Sequence, residues 1–137
     1  MDKQIKSSLY FEDYIVNSVE FVVNKNFNSV ENVKIDFDIS HETIVDNNNM
    51  QISINLNVFK DMEKNNYPFN IKVNITGYYR IDGEDDNIST YEKNGLAILY
   101  PYIRSIVSTY TANSNVPTLI LPPINIINYL KSKKDSQ

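Results

Sequence analysis

An α+β fold is expected from this sequence: a four-stranded antiparallel meander packed on one long, proline-interrupted helix, then an extended crossover connection and a short C-terminal helix. Three observations predict it. The first half alternates apolar and polar residues with period two. From Leu96 onward the apolar residues recur at three- and four-residue steps. The segment after Asn115 is apolar but carries Pro117, Pro122 and Pro123. Period two marks half-buried strands, and steps of three and four mark one face of a helix. Repeated proline excludes a helix interior or a central strand.

The strands follow in order. Val19, Phe21 and Val23 lie opposite Ser18, Glu20 and Val22. Val33, Ile35, Phe37 and Ile39 alternate with Lys34, Asp36, Asp38 and Ser40. After the turn cluster Asp46–Asn49, the residues Met50, Ile52, Ile54, Leu56 and Val58 alternate with Gln51, Ser53, Asn55 and Asn57. Phe69, Ile71, Val73 and Ile75 then alternate with Asn70, Lys72, Asn74 and Thr76. One face is apolar and the other polar, so one face of the sheet meets water.

Beyond the acidic turn Asp82–Asp86 comes the helical stripe of Leu96, Leu99, Ile103, Ile106 and Tyr110, with Pro101 inside it. That proline either starts a second helical segment or kinks a single one. Arg104 is the only charged residue between Leu96 and Thr111. A helix apolar or small nearly all round is buried on more than one side. A lone four-stranded sheet covers one side, so a second copy of the chain is expected on another. Leu96, Leu99, Tyr102, Ile103, Ile106 and Tyr110 are the candidate oligomer interface. The apolar segment from Val116 to Ile124 should lie extended over the surface, and Ile126–Leu130 should form the closing helix. Residues 1–10 and 131–137 are expected to be flexible parts of a single domain spanning 1–137.

Composition narrows the function. The chain has 137 residues, 17 acidic against 13 basic, and a net charge of −4. A nucleic-acid surface needs the opposite balance. There is no cysteine, which removes disulfides, thiolate metal sites and thiol nucleophiles. No apolar run reaches the ~20 residues that cross a bilayer, and Met1–Leu9 lacks the apolar core of a signal peptide. The expected location is cytoplasmic, without membrane insertion.

Chemical motifs are sparse. His41 is the only histidine, and no nucleophile or carboxylate positioned to work with it is evident. The acidic turn lacks the ordered ligand spacing of a calcium loop, and Gly77, Gly83 and Gly95 form no phosphate-cradling loop. No catalytic residue, metal or cofactor is expected, and the chain is read as a binding protein. Its ten tyrosines, several near the sheet–helix junction, suit either core packing or interfaces. The alternative from another class is a small-molecule binder or hydrolase, which needs a pocket with convergent polar groups around His41 or the tyrosines.

The last third carries a sharper signal. Tyr100-Pro101-Tyr102-x-Arg104 precedes Pro117-x-Leu119-x-Leu121-x-Pro123-Ile124-Asn125 by a helix-length gap. This arrangement resembles the SecB family of protein-export chaperones over about Tyr14–Leu130. It is specific in the last third and architectural before it. The resemblance implies an ATP-independent holdase, a homotetramer built as a dimer of dimers that binds unfolded or precursor polypeptides in apolar grooves. It nominates Leu119, Ile120, Leu121, Ile124, Ile127 and Leu130 as client-binding residues, with Val33, Ile35 and Phe37 beside them. One of Leu119 and Leu121 is expected to pack inward while the other faces the groove. The resemblance also implies a motor partner, SecA, on an acidic sheet face, for which Glu20, Asp36 and Asp38 are candidates. Here that face mixes acids with Lys34, Lys72 and Arg80, and the tail is basic. Other family members protect an antitoxin of a toxin–antitoxin system, which gives a second implied role.

Overall fold

The computed structural model describes residues 8–29, 33–83, 88–122 and 125–135. Four strands, β1 (Ser8–Val23), β2 (Phe37–Asp46), β3 (Asn49–Val58) and β4 (Phe69–Asp82), are followed by α1 (Ile88–Ala112) and α2 (Ile126–Asp135). All strand pairings are antiparallel, as the alternation requires. The order is β1-β4-β3-β2 and not that of a simple meander. Only β2–β4 follow one another in space. β1 lies on the far side of β4, so the chain crosses the end of the sheet between β1 and β2, as in a Greek key. Alternation fixes which face a residue takes but not which strand is its neighbour.

Two boundaries also moved. β2 begins at Phe37, leaving Val33 and Ile35 in the connection before it. The ends carry regular structure where described, since β1 starts at Ser8 and α2 runs to Asp135. Leu9 holds the first of these in register opposite Ile81. The β2–β3 hairpin turns at Asn47-Asn48, where Asn47 takes φ 55°, a conformation asparagine tolerates well.

The core lies between the inner sheet face and α1. Met50, Ile52, Ile54, Leu56 and Val58 of β3 and Phe69, Ile71, Val73 and Ile75 of β4 are all buried. α1 covers them with Leu96, Leu99, Ile103 and Val107. Gly95 allows this close approach, because a Cβ there would stand 2.6 Å from the Ile52 side chain. Tyr79 reaches across from β4 and donates its hydroxyl to the Gly95 carbonyl at 2.7 Å. Burial pushes the Tyr79 phenol well above its ordinary pKa, so it stays a neutral donor. Pro101 does not divide α1, which is one helix; proline has no N–H to donate to the Ala97 carbonyl, and Ala97 is exposed.

The outer sheet face is an amide network. The bulge residue Asn17 donates to Asn74 and Thr76, Asn74 donates to Asn55, and Asn70 donates to Asn57. Glu20, Lys72, Asn57 and Asp38 form one cross-strand row. Three strand spacings put Glu20 and Asp38 about 14 Å apart, with Lys72 between them. Asp36 lies before β2 and accepts a hydrogen bond from Tyr67 at 3.2 Å. The three nominated acids therefore do not form one negative patch.

Candidate functional site

An apolar groove of about 540 Å³ opens at the end of the sheet where three connections meet. The β1–β2 connection supplies Asn24, Phe27, Ser29, Val33 and Ile35. Phe59, Pro68 and Phe69 come from the β3–β4 connection and its ends. The segment after α1 supplies residues 115–119. Rings of Phe59 and Phe69 meet edge-on at 5.1 Å and make the floor. Phe59 sits at φ 59°, a conformation costing a bulky residue about 1–2 kcal/mol. The end of β3 is thereby redirected, and the Phe59 amide donates to the Asp36 carbonyl at 2.8 Å.

The wall formed by residues 116–122 has no strand partner, yet part of its backbone is paired. α1 presents Tyr100, Arg104, Ser108 and Thr111 at helical steps along one side. Tyr100 donates to the Pro122 carbonyl at 3.1 Å, Arg104 Nε to the Leu121 carbonyl at 3.1 Å and Ser108 to the Leu119 carbonyl at 3.3 Å. The Leu119 amide donates to Thr111 Oγ1 at 2.9 Å. Thr111 is fully buried, and its own hydroxyl proton can go to the Val107 carbonyl at 2.9 Å. The helix thus acts as a neighbouring strand would, and holds an apolar segment extended. Burial raises the Tyr100 phenol pKa, with the Arg104 guanidinium opposing the shift.

The structure distinguishes Leu119 from Leu121. Extended backbone alternates with period two, so both point the same way, inward. Leu121 is 0% exposed and belongs to the core; Leu119, at 9%, forms the inner rim of the groove. Ile120 points out and is 67% exposed. Val33 and Ile35 line the groove as nominated. Phe37 does not line it and instead stacks on Tyr129 of α2. Ile127 and Leu130 are half-buried against the core, and Ile124 lies outside the described residues. Sequence reasoning missed Phe27, Phe59 and Val116. The one visible signal was at Val58-Phe59, where two apolar neighbours break the alternation.

The nominated oligomer interface also divides. Leu96, Leu99 and Ile103 are buried in the protomer core and are unavailable to another chain. The face carrying Tyr100, Arg104, Ser108 and Thr111 is covered by the chain's own crossover. Much of the missing charge on α1 is thus explained within one protomer. Tyr102, Ile106 and Tyr110 remain, and with Tyr14, Val16 and Val19 of β1 they make a shallow apolar strip. Tyr14 and Tyr102 stand 4.5 Å apart, centroid to centroid. The strip borders β1, which lies at the edge of the sheet.

His41 does have a carboxylate beside it. Nε2 lies 3.4 Å from Glu92 of α1, a contact the sequence did not reveal because 51 residues separate the two. An imidazole and one carboxylate can hold a proton but supply no nucleophile. Among the described residues no cluster of acids and histidines could hold a metal, and no helix is long and apolar enough to cross a membrane.

The comparisons agree with this geometry. The family model for the preprotein translocase subunit SecB matches residues 7–137. An uncharacterized protein of Methanocaldococcus jannaschii is 34% identical over 133 residues, covering 92% of this chain and 84% of its own. The Mycobacterium tuberculosis SecB-like chaperone, solved in complex with a ChAD peptide from an antitoxin, superposes with a TM-score of 0.64. Its identity is 15%, over 85% of this chain and 87% of that one. A Streptococcus agalactiae protein of unknown function reaches 0.51 at 15% identity, over 87% and 98% of the two chains. A four-stranded antiparallel sheet, a long helix that pins a proline-rich crossover, and a family match over nearly the whole length make this chain a member of the SecB family.

Proposed function

We propose that this protein is a chaperone that holds non-native polypeptide segments in its apolar groove without nucleotide. The observation that carries the reading is the groove itself. Its apolar lining stays open because its walls are pinned by hydrogen bonds and cannot collapse onto one another. A guest burying four large side chains gains roughly 6–12 kcal/mol gross. Ordering the guest and losing its free motion offset much of this. One groove therefore binds modestly, and a tight hold needs several grooves on one assembly. The strip of Tyr14, Val16, Val19, Tyr102, Ile106 and Tyr110 supports self-association, with a homotetramer as the proposed assembly. The reading includes no catalytic step and a cytoplasmic location.

Two client ranges fit: export precursors in general, or one dedicated antitoxin. The mixed row Glu20–Lys72–Asn57–Asp38 favours the second. It offers a basic motor surface such as that of SecA little net attraction, and the structural relative noted above holds an antitoxin peptide. The test is aggregation of several unrelated unfolded proteins, followed by light scattering without ATP. Suppression across clients supports the general holdase. Suppression for one partner alone supports the dedicated role, and none with any client, including the antitoxin-type peptide, removes the chaperone reading.

A further inference from the structure

We infer that the first two turns of α1 form a flap that lifts from β2 about Gly95, held shut by a proton between His41 and Glu92. α1 crosses β3 at Gly95, where a Cβ would stand 2.6 Å from the Ile52 side chain and 3.2 Å from Met50. From Gly95 onward the helix is secured. The Tyr79 hydroxyl holds the Gly95 carbonyl at 2.7 Å, and Leu96, Leu99, Ile103 and Val107 are buried in the core. Ahead of Gly95 only Tyr91 is buried and Glu92 half-buried; Ile88, Ser89, Thr90, Lys93 and Asn94 are exposed. The first turn has no acidic residue to offset the partial positive charge of its free N–H groups. Glycine inside a helix also weakens it at that point.

What fastens these turns to the sheet is polar. His41 and Thr43 are alternate residues on the inner face of β2, opposite Ile54 and Ile52 of β3. His41 Nε2 lies 3.4 Å from Glu92 Oε2, and among the described residues this is the one ion pair between α1 and the sheet. Two residues from His41, and next to Glu92, the Thr43 and Tyr91 hydroxyls are buried with no hydrogen-bond partner among the described residues. A buried hydroxyl without a partner favours any opening that returns it to water. The seam under the flap thus works against its own closure, and the His41–Glu92 contact offsets it. Protonated, the imidazole donates to the carboxylate with a full charge; neutral, it keeps a single N–H. The other ionisable groups on this seam are phenols, Tyr91 on α1 and Tyr129 on α2, whose hydroxyl accepts from the Ile39 amide at 3.4 Å. Glu42 lies on the opposite face of β2, and Lys93 is exposed. Phenols do not titrate near neutral pH. The flap therefore closes as the pH falls through the histidine range and loosens as it rises. Lifting uncovers Met50 and Ile52, an apolar surface at the end of β3 far from the groove.

Hydrogen exchange followed by mass spectrometry tests this. The amides of residues 92–95 are bonded within the first two turns, and those of Ile103–Val107 serve as the reference. Rates are expressed as protection factors, which removes the intrinsic effect of pH. Wild-type protein should protect 92–95 at least about tenfold less than the reference. That protection should fall about two- to fivefold between about pH 5.5 and about pH 8. Glu92→Gln should remove the pH dependence. Tyr91→Phe and Thr43→Val keep the volume and delete an unpartnered hydroxyl. Each should raise protection at 92–95 by about fivefold or more, the reverse of what losing a contact does. Equal protection in the two segments overturns the flap. A pH dependence that survives in Glu92→Gln overturns the latch. Unchanged or lower protection in Tyr91→Phe or Thr43→Val means that the hydroxyl is already satisfied, and overturns the inference as well.

Discussion

The groove and the strip beside β1 are both apolar and both partly open, yet they are built in opposite ways. The groove is a recess whose walls are loops, held apart by side-chain hydrogen bonds from α1 and from two asparagines. The strip is shallow, lies on regular elements and continues to the edge of the sheet at β1. A recess with fixed walls suits a flexible guest, which adapts to it. A shallow surface on rigid elements suits another rigid surface, because neither has to be ordered on binding. Apolar area alone does not distinguish the two; the way the backbone is held does.

Substitutions can separate them. The largest effect is expected from Ile106→Glu, which places a charge in the strip. Light scattering coupled to size exclusion should show loss of assembly. Holding of unfolded clients should fall by a factor on the order of 10²–10⁴ as the effective concentration of a second groove is lost. Binding of a short peptide to one groove should not change. A monomer that holds long clients as well as wild type would mean the two surfaces do not cooperate.

Leu121→Ala acts on the groove wall from behind. Leu121 is fully buried, so the change should cost about 2–5 kcal/mol in urea unfolding, with assembly of the folded fraction intact. Thr111→Val keeps the volume but leaves the Leu119 amide without its acceptor. A loss of about 1–3 kcal/mol is expected, together with weaker peptide binding. The strip should again be untouched.

Tyrosine ionisation reports on the same framework. Burial raises the phenols of Tyr79 and Tyr100 above the ordinary value of 10.0. Above that pH the unfolded chain releases protons that the folded chain keeps. Stability should therefore hold up to about pH 10 and decline as the pH rises further. Urea midpoints at successive pH values check this, and Tyr79→Phe should flatten the decline. The smallest effect on stability belongs to Ile120→Ser. Ile120 is exposed, so the change should stay within about 0.5 kcal/mol. A marked loss of client binding in that variant would extend the guest surface over the outside of the crossover.

Much of this architecture was legible in the residues. Period two placed Met50–Val58 and Phe69–Ile75 on a buried face, and the prolines placed 116–122 outside any helix. The Tyr-Pro-Tyr-x-Arg run pointed to the family, and two of its residues, Tyr100 and Arg104, turn out to hold the crossover backbone. The candidate site was read less well. Val33 and Ile35 are nominated by the resemblance, on the second strand to which their alternation assigns them, whereas Phe27 stands alone among polar residues and carries no periodic signal. Leu96, Leu99 and Ile103 were assigned to another copy of the chain because a helical stripe shows that a face is covered, but not by what.

The sequence by itself determined the class of fold, the apolar face of each strand and helix, and the family, because these depend on the spacing of residues near one another in the chain. Only the tertiary structure decided the strand order, the division of α1 into a core face, a crossover face and an open strip, and the meeting of residues 24–28, 59–69 and 115–119 around one recess. Those outcomes depend on pairings between residues tens of positions apart. A hydrogen bond such as Asn24 to Tyr67 or Thr111 to Leu119 exists only once the chain has brought its partners together.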